Sequence, residues 1–341
     1  MTTLATTRFS VLDRSPVRQG HDGPRALRDT VDLARRIEAL GFHRFWVSEH
    51  HSVPGIAGSA PTVLAAAVAA ATTTIRVGTG GVMLPNHRPL VVAEQFGVLE
   101  ALFPGRIDMG LGRSVGFTDG IRAALGRDKR DADDFPGQLA ELLGYFTGGP
   151  SSHPGVHAHP AEGLRVPAFV LATGEGARVA AEAGLPLVIA PVRGEDAMLR
   201  AIDAYRADFR PSVAGARPYV VVSGTVTVAA TAEEARLLLL PEAWATVRSR
   251  TRGAFPPLVP PESVPPVAEM TERERTLFEE AMRGRLYGTG EEVAAGLTGL
   301  LGRSGADEFL VTTSTYDRVA LLDSYRRLAA LVTPLPRPTR S

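Results

Sequence analysis

Short apolar runs rich in β-branched residues alternate with helical patterns along the whole chain, and this alternation constrains the fold more than any other feature. Eight β/α units in series favour a closed parallel barrel over an open sheet. We therefore predict a (β/α)8 TIM barrel with insertions, formed as a single domain over residues 1–341. The predicted strands are Arg8–Asp13, Arg44–Ser48, Ile75–Thr79, Arg106–Leu111, Pro167–Ala172, Leu185–Ala190, Tyr219–Val228 and Glu308–Thr313. The predicted helices are Arg25–Leu40, Ala60–Ala71, Leu90–Leu102, Gly176–Ala183, Glu195–Phe209 and Asp317–Leu331.

The composition is compatible with one such barrel and narrows the function classes. A chain of 341 residues that is 44% hydrophobic can bury a sizeable core. The formal net charge is +0, so nothing favours a nucleic-acid partner. The absence of cysteine excludes disulfides and thiolate nucleophiles. The start of the chain lacks the pattern of a signal peptide, and no apolar run approaches the ~20 residues of a membrane span. We expect a cytoplasmic protein without a membrane segment.

Residues that folding alone does not explain follow three of the predicted strands, with chemically capable side chains after two of them and a glycine pair after the third. Glu49-His50-His51 follows the second strand, Gly80-Gly81 the third, and Arg113 the fourth. In a parallel barrel, side chains at the carboxyl ends of the strands line the active-site mouth. A histidine and an arginine at one mouth suggest a proton-handling group beside an anion clamp, a combination that fits a phosphorylated cofactor.

Two insertions interrupt the alternation. Residues 148–164 precede the fifth strand, and residues 253–267, with six prolines in AFPPLVPPESVPPV, lie between the seventh and eighth strands. Proline supplies no backbone N–H, so the second insertion cannot be a core strand or a helix interior. Long loops in a compact barrel are usually lids or disordered segments. We interpret residues 253–267 as a lid over the mouth, with an inert loop as the alternative.

Several strings, in order and over most of the chain, resemble the bacterial luciferase-like superfamily of flavin-dependent oxidoreductases. They are SVLDRSPV, FWVSEHH, IRVGTGGVMLP, PLVVAEQFGVLEALFPGR, DMGLGR, GTGEEV and GADEFLVTT. The resemblance implies a (β/α)8 barrel, usually dimeric, that uses reduced FMN and O2 as a monooxygenase. It also implies that some branches use the deazaflavin F420 as a hydride carrier instead.

The resemblance assigns roles to the residues at the mouth. His50 matches the active-site histidine, whose imidazole titrates near neutrality and can relay protons. Arg113 matches the arginine that grips the flavin phosphate. The second half of the clamp is expected at Thr173, Gly174, Glu175, Gly176 and Ala177, where free N–H groups at a helix start bind anions. The family commonly has serine where Gly176 stands, which removes one hydroxyl donor here; a tight turn alone would also explain the glycines.

Thr79, Gly80 and Gly81 stand where the family backs the flavin ring, often with a non-proline cis peptide. Asp119 matches a carboxylate near the flavin, with a solvated loop charge as the alternative. Gly112 stands where bacterial luciferase has a reactive cysteine, so no thiol chemistry is expected. His51 is expected to be structural or to contact a second subunit, with Glu94 as its candidate partner. No metal site is expected, because the adjacent side chains of the His50–His51 pair point apart.

These assignments favour a monooxygenase that uses reduced FMN and O2 to oxygenate a small organic molecule, with tailoring of an aromatic polyketide in antibiotic biosynthesis as a suggested role. The chain lacks a complete GxGxxG fingerprint, so reduced flavin is expected from a separate NAD(P)H:flavin reductase. An F420-dependent dehydrogenase or reductase and a non-catalytic flavin-binding protein remain as alternatives on the same fold.

Overall fold

The chain forms a closed parallel barrel. The computed structural model describes residues 4–174 and 176–332. The strands are β1 Arg8–Asp13, β2 Arg44–Val47, β3 Arg76–Thr79, β4 Val82–Met83, β5 Ile107–Gly112, β6 Ala168–Ala172, β7 Leu187–Ile189, β8 Val220–Gly224, β9 Val226–Val228, β10 Leu286–Gly288 and β11 Glu308–Val311. The helices are α1 Gly23–Ala39, α2 Pro61–Ala71, α3 Pro89–Leu102, α4 Asp119–Ala124, α5 Phe135–Gly144, α6 Gly176–Ala183, α7 Glu195–Asp208, α8 Ala232–Arg252, α9 Glu272–Met282, α10 Gly290–Ser304 and α11 Arg318–Val332.

Eight of these strands make the barrel, in the order β3-β2-β1-β11-β8-β7-β6-β5, and a β3–β5 pairing closes it. Every pairing around the barrel is parallel, so all carboxyl ends open on one side. The short strand β4 continues this wall by pairing with the end of β5. The predicted (β/α)8 fold is therefore confirmed, and all candidate residues at strand ends share one mouth.

The opposite end of the barrel is held by buried ion pairs. Arg44, at the start of β2, contacts Asp108 at 2.7 Å and Glu308 at 3.0 Å. Asp108 also pairs with Arg76 and accepts a hydrogen bond from the indole of Trp46 at 3.2 Å. Because these carboxylates and guanidiniums satisfy one another, they can remain charged in the core. This end of the barrel serves stability.

The predicted seventh strand is divided. Residues of Tyr219–Val228 form β8 in the barrel and then β9, which leaves the barrel to pair in parallel with β10. The region between β9 and β10 is mainly helical, and α8 and α9 pack on each other around their own apolar cluster. That cluster consists of Leu240, Ala243, Val247, Val264, Met270 and Phe278. The sequence analysis predicted neither these two helices nor α10.

The proline-rich segment, residues 253–267, is anchored to the loops that follow β1 and β2. Its Leu258 is fully buried and exchanges backbone hydrogen bonds with Val17 and Gln19, at 2.8 Å each. Phe255 accepts a bond from the N–H of Gly55 at 2.9 Å. These contacts lie at the carboxyl side of the barrel. The other insertion, residues 148–164, consists of turns between α5 and β6.

Among the described residues, no helix combines the length and apolarity needed to cross a bilayer.

Candidate active site

A cavity of about 410 Å³ opens at the carboxyl ends of the strands. Residues at the ends of six barrel strands, or in the segments that follow them, contribute to its wall, as expected for the functional face of a parallel barrel. From the predicted set, the wall contains His50, Gly80, Gly81, Arg113, Thr173, Gly174 and Gly176. It also contains residues that the sequence analysis did not assign, among them Ser48, Phe117, Arg193 and Ser223.

His50 is held at this wall by two hydrogen bonds. Its backbone N–H donates to Gly58 at 2.8 Å, and its Nδ1 lies 3.1 Å from the hydroxyl of Ser48. The exposed ring of Phe117 lies nearly parallel to the imidazole, at 6.0 Å between ring centres. Burial, followed by the positive charge of Arg14, lowers the pKa of His50 to about 4. The imidazole is therefore neutral at pH 7, which replaces the expectation of titration near neutrality.

The neighbouring Glu49 is the centre of a buried hydrogen-bond cluster. Its carboxylate accepts the backbone N–H of Met83 at 2.9 Å and the amide of Asn86 at 3.3 Å. The Nε2 atoms of His51 and His87 lie 2.7 and 2.9 Å from its oxygens. Burial opposes ionisation, but these donors, first His87, outweigh it and lower the pKa of Glu49. An ionised carboxylate only accepts, so both imidazoles carry their proton on Nε2.

This cluster gives the His51 side chain a hydrogen-bond partner within its own chain. Its partner is Glu49 and not Glu94, the candidate suggested by the sequence. The ligand atoms of Glu49, His51 and His87 lie within 4.8 Å of one another, a grouping of histidines that the sequence analysis did not anticipate. Since the four donors satisfy Glu49, hydrogen bonding accounts for the arrangement without a cation. The cluster fixes the segment that carries His50.

The cationic part of the cavity lies across β5, β6 and β7. Arg113 and Arg193 are both exposed at the wall, and neither forms an ion pair with another described residue. Thr173 and Gly174 follow β6, and Gly176 begins α6. Arg193 was missed, although it follows β7 as Arg113 follows β5. The strand-end rule applied to every strand would have found it.

Three predicted cofactor contacts have other positions or partners. The buried Thr79 hydroxyl donates to the carbonyl of Gly110 at 2.8 Å, so this side chain joins β3 to β5 and does not line the cavity. The N–H of Ala177 donates to Gly174 at 2.8 Å and is not free to bind an anion. Asp119 pairs with Arg122 at the start of α4, and its side chain is 98% exposed to solvent outside the cavity. Glu175 lies outside the described residues.

Gly80 and Gly81 form one side of the cavity, and the peptide bond between them is cis, as the resemblance implied. A Cβ on Gly81 would lie 2.8 Å from the carbonyl oxygen of Gly110. The lack of a side chain therefore serves barrel packing as well as approach by a ligand. These glycines follow β3, which stands between β2 and β5 in the barrel, so their backbone lines the cavity between the segments that carry His50 and Arg113.

The site fits a planar ring that carries a phosphate. Two unpaired guanidiniums match a dianion, since the planar fork of arginine suits phosphate oxygens. The glycine surface suits a flat ring, and the neutral imidazole faces the same space. The fold and the cavity together define a parallel (β/α)8 barrel protein with a polar pocket at the carboxyl ends of its strands. The chain belongs to the luciferase-like monooxygenase family, whose model matches residues 7–308.

Relatives match over nearly the full length. Protein YvbT of Bacillus subtilis (strain 168) is 40% identical over 329 residues, which covers 95% of this chain and 96% of that protein. A luciferase-like monooxygenase of Escherichia coli (strain K12) is 37% identical over 328 residues, with 94% and 95% covered. The N-acetyl-S-alkylcysteine monooxygenase of Bacillus subtilis is 33% identical over 335 residues, with 95% and 98% covered.

Solved structures share the architecture. The crystal structure of apo-MsnO8 superposes with a TM-score of 0.84 at 32% identity, covering 98% of this chain and 100% of that one. A type II Baeyer-Villiger monooxygenase from Pseudomonas putida, in complex with FMN, has a TM-score of 0.72 at 20% identity and covers 96% and 98%. An F420-dependent secondary alcohol dehydrogenase has a TM-score of 0.66 at 14% identity and covers 96% and 100%. The last two likenesses establish the fold alone.

Proposed function

We propose that this protein is a two-component monooxygenase that uses reduced FMN and O2 to oxygenate a small organic substrate. The observation that carries the proposal is one cavity lined by two arginines without an ion-pair partner among the described residues, by His50 and by the backbone of Gly80 and Gly81. The FMN-bound Baeyer-Villiger relative supports the choice of cofactor. The monooxygenase named for N-acetyl-S-alkylcysteine supports a small organic substrate.

In this proposal Arg113 and the backbone at Gly174 and Gly176 bind the phosphate. Charge-assisted hydrogen bonds from a guanidinium are roughly twice as strong as neutral ones, so Arg113 carries most of this binding. Gly80 and Gly81 support one face of the ring. Bound FMN supplies the oxygen-activating chemistry. The protein positions the cofactor, sets the polarity around it and excludes water from the site. Thr79, Ala177 and Asp119 take no part, since each is otherwise bonded or lies outside the cavity.

His50 acts as a proton acceptor. With a pKa of about 4 the imidazole has no proton to give as an acid at pH 7, but its free nitrogen can accept one from a substrate or cofactor oxygen. The Ser48 hydroxyl at Nδ1 fixes the ring, and Phe117 offers an apolar surface beside it for the substrate. We favour an aromatic polyketide as the substrate class, with the protein acting in a tailoring step.

The proline-rich segment, residues 253–267, serves as a fixed cover on the β1–β2 side of the mouth. Its backbone bonds to Val17, Gln19 and Gly55 hold it in place, so the cover limits the access of water without large motion. No described residue from this segment lines the cavity itself. Its role is therefore to restrict the entrance, not to contact the cofactor.

The chain needs a source of reduced flavin. Because it lacks a complete dinucleotide-binding fingerprint, a separate NAD(P)H:flavin reductase delivers the reduced cofactor by diffusion. This partner is tested by coupling the protein to a purified flavin reductase with NADH. Oxygenation should depend on both proteins and should disappear when the reductase or the nicotinamide is omitted.

We further propose a homodimer formed by the outer faces of α2 and α3. Val63, Val91, Val98 and Leu102 are large apolar residues exposed on these two helices, and a contiguous apolar face marks a protein–protein interface. Light scattering after size exclusion should give the mass of two chains. Leu102→Arg should lower that mass toward one chain, whereas Val319→Arg, at an exposed position on α11, should not. A single-chain mass for the unaltered protein would contradict the dimer.

The cofactor assignment is tested with photoreduced FMN. Under anaerobic conditions the protein should bind reduced FMN, and admission of air should give a reoxidation rate that differs from that of free flavin. Arg113→Ala should weaken the binding about tenfold or more, since a charge-assisted contact is removed. If reduced FMN reoxidises identically with and without protein while F420 binds tightly, the F420-dependent dehydrogenase is the correct assignment. The fold likeness to an F420-dependent secondary alcohol dehydrogenase is the reason for this second candidate.

A further inference from the structure

We propose that Arg193 is a second guanidinium for the cofactor phosphate, and that it replaces the hydroxyl donor that Gly176 lacks. The inference rests on the proposed use of FMN. It adds a functional consequence: discrimination between FMN and riboflavin depends on charge, so cofactor capture weakens as salt concentration rises.

The position of Arg193 follows from strand register. Strands β6 and β7 pair in parallel, with Ala172 opposite Ile189, so the segments that follow them begin side by side. The turn after β7 is closed by a hydrogen bond from the N–H of Gly194 to Pro191 at 3.0 Å. This turn presents Arg193 to the cavity that Arg113 lines from β5.

The distance to the β6 segment is short. The Nη1 atom of Arg193 lies 3.9 Å from the place that a Cβ on Gly174 would occupy. Gly174 has a φ of +143°, a conformation that favours glycine, and it has no side chain that could fill the space in front of the guanidinium. Arg193 therefore borders the same space as the start of α6, and the dipole at a helix N-terminus favours an anion.

The charge balance of the cavity points to a dianion. Of the described residues that line it, Arg113 and Arg193 are cationic, and the one carboxylate, Glu49, is committed to His51 and His87. A phosphate monoester carries about −1.5 to −2 charges at pH 7, close to the charge of two guanidiniums. Reduced FMN from a separate reductase would be attracted to this wall from solution.

The binding test compares FMN with riboflavin, which differs by the phosphate. Dissociation constants are measured by flavin fluorescence for the unaltered protein, Arg193→Ala, Arg193→Lys and Arg113→Ala. Arg200→Ala, an exposed arginine on α7 that does not line the cavity, is the matched control. We expect Arg193→Ala to weaken FMN binding about tenfold and to leave riboflavin unchanged, with partial recovery in Arg193→Lys. The loss of FMN affinity between low and high salt should be smaller in Arg193→Ala.

The outcomes separate this inference from the proposed function. If the unaltered protein prefers FMN and Arg113→Ala abolishes that preference, while Arg193→Ala binds FMN as the control does, then Arg193 is a solvated surface residue and the inference is wrong. If FMN and riboflavin bind equally to the unaltered protein, the phosphate site itself fails. Equal losses of both ligands in Arg193→Ala would indicate a folding defect, and they would also overturn the assignment to the phosphate.

Discussion

The lowered pKa of His50 gives the sharpest test of the site. A histidine that titrates near 6.5 in the unfolded chain and near 4 in the folded one binds its proton more weakly when folded. The contribution to stability is therefore fully present above about pH 6.5 and is lost as the pH falls toward 4. Between about pH 7.5 and about pH 5, linkage gives a loss of about 2 kcal/mol from this one residue.

The perturbation is His50→Gln, which keeps a polar side chain and removes the titration. When the pH is lowered from about 7.5 to about 5, the free energy of unfolding of the unaltered protein should fall. In His50→Gln this fall should be smaller by about 2 kcal/mol. His43 is a matched comparison at the other end of the barrel, because burial, followed by Arg44, also lowers its pKa to about 4. His43→Gln should reduce the pH dependence in the same direction but by a smaller amount, because His43 is less deeply buried, and the double variant should combine the two effects, since the two sites are separate.

The direct assay is an NMR titration of protein labelled at the histidine Cε1, with the His50 signal assigned by its loss in His50→Gln. The signal should stay constant from about pH 8 to about pH 6 and move with a midpoint near 4. Arg14→Gln should raise that midpoint, because it removes a positive charge that disfavours the imidazolium. A midpoint near 6.5 in the unaltered protein would refute the neutral-base role, as would an equal pH dependence of stability in His50→Gln.

Three further predictions concern the scaffold. Asp108→Ala should lower the free energy of unfolding in urea by about 3–5 kcal/mol, because it breaks the buried pairs of Asp108 with Arg44 and Arg76 and leaves Glu308 as the remaining partner of Arg44. Removing the exposed Asp323, which pairs with Arg327, should cost less than about 1 kcal/mol, and equal effects of the two substitutions would contradict the assigned burial. Glu49→Gln should destabilise by about 2–3 kcal/mol, and an unchanged melting temperature would show that the cluster with His51 and His87 is not formed. Gly110→Ala should destabilise by more than about 3 kcal/mol, because a Cβ would lie 1.9 Å from the carbonyl oxygen of Thr79. Gly112→Ala should stay within about 1 kcal/mol, because a Cβ there would lie 3.9 Å from its nearest neighbour, the carbonyl oxygen of Val82, and similar stabilities for these two variants would be inconsistent with the β3–β5 closure.

Local pattern was sufficient for most of the barrel. The predicted bounds of β1 and α6 are those of the structure, because β-branched alternation and a clear start after Gly174 are properties of short segments. The insertion between β9 and β10 was predicted poorly. Helix α8 has charged residues around much of its surface and Pro241 in its interior, so its periodicity is weak. Its content of Ala, Glu, Leu and Arg and the capping box formed by Thr231 and Glu234 are sequence signals that could have found it.

The candidate site was predicted in position but not in detail. Strand ends identified His50, Arg113 and the glycines, since parallel strands bring their carboxyl ends to one mouth. The same rule could not tell that Thr79 bonds to β5 or that Asp119 is held by Arg122, because side-chain partners depend on rotamers and on neighbours distant in sequence.

The order of β/α segments by itself determined the barrel and the face on which its chemistry lies, because hydrophobic periodicity acts over a few residues and parallel strands align their ends. Only the tertiary structure decided that Glu49 joins His51 to His87, that Arg193 borders the same space as Arg113, and that His50 is neutral. These properties arise when closure of the barrel removes water and brings charges from separate segments within a few ångströms of one another, which no local pattern encodes.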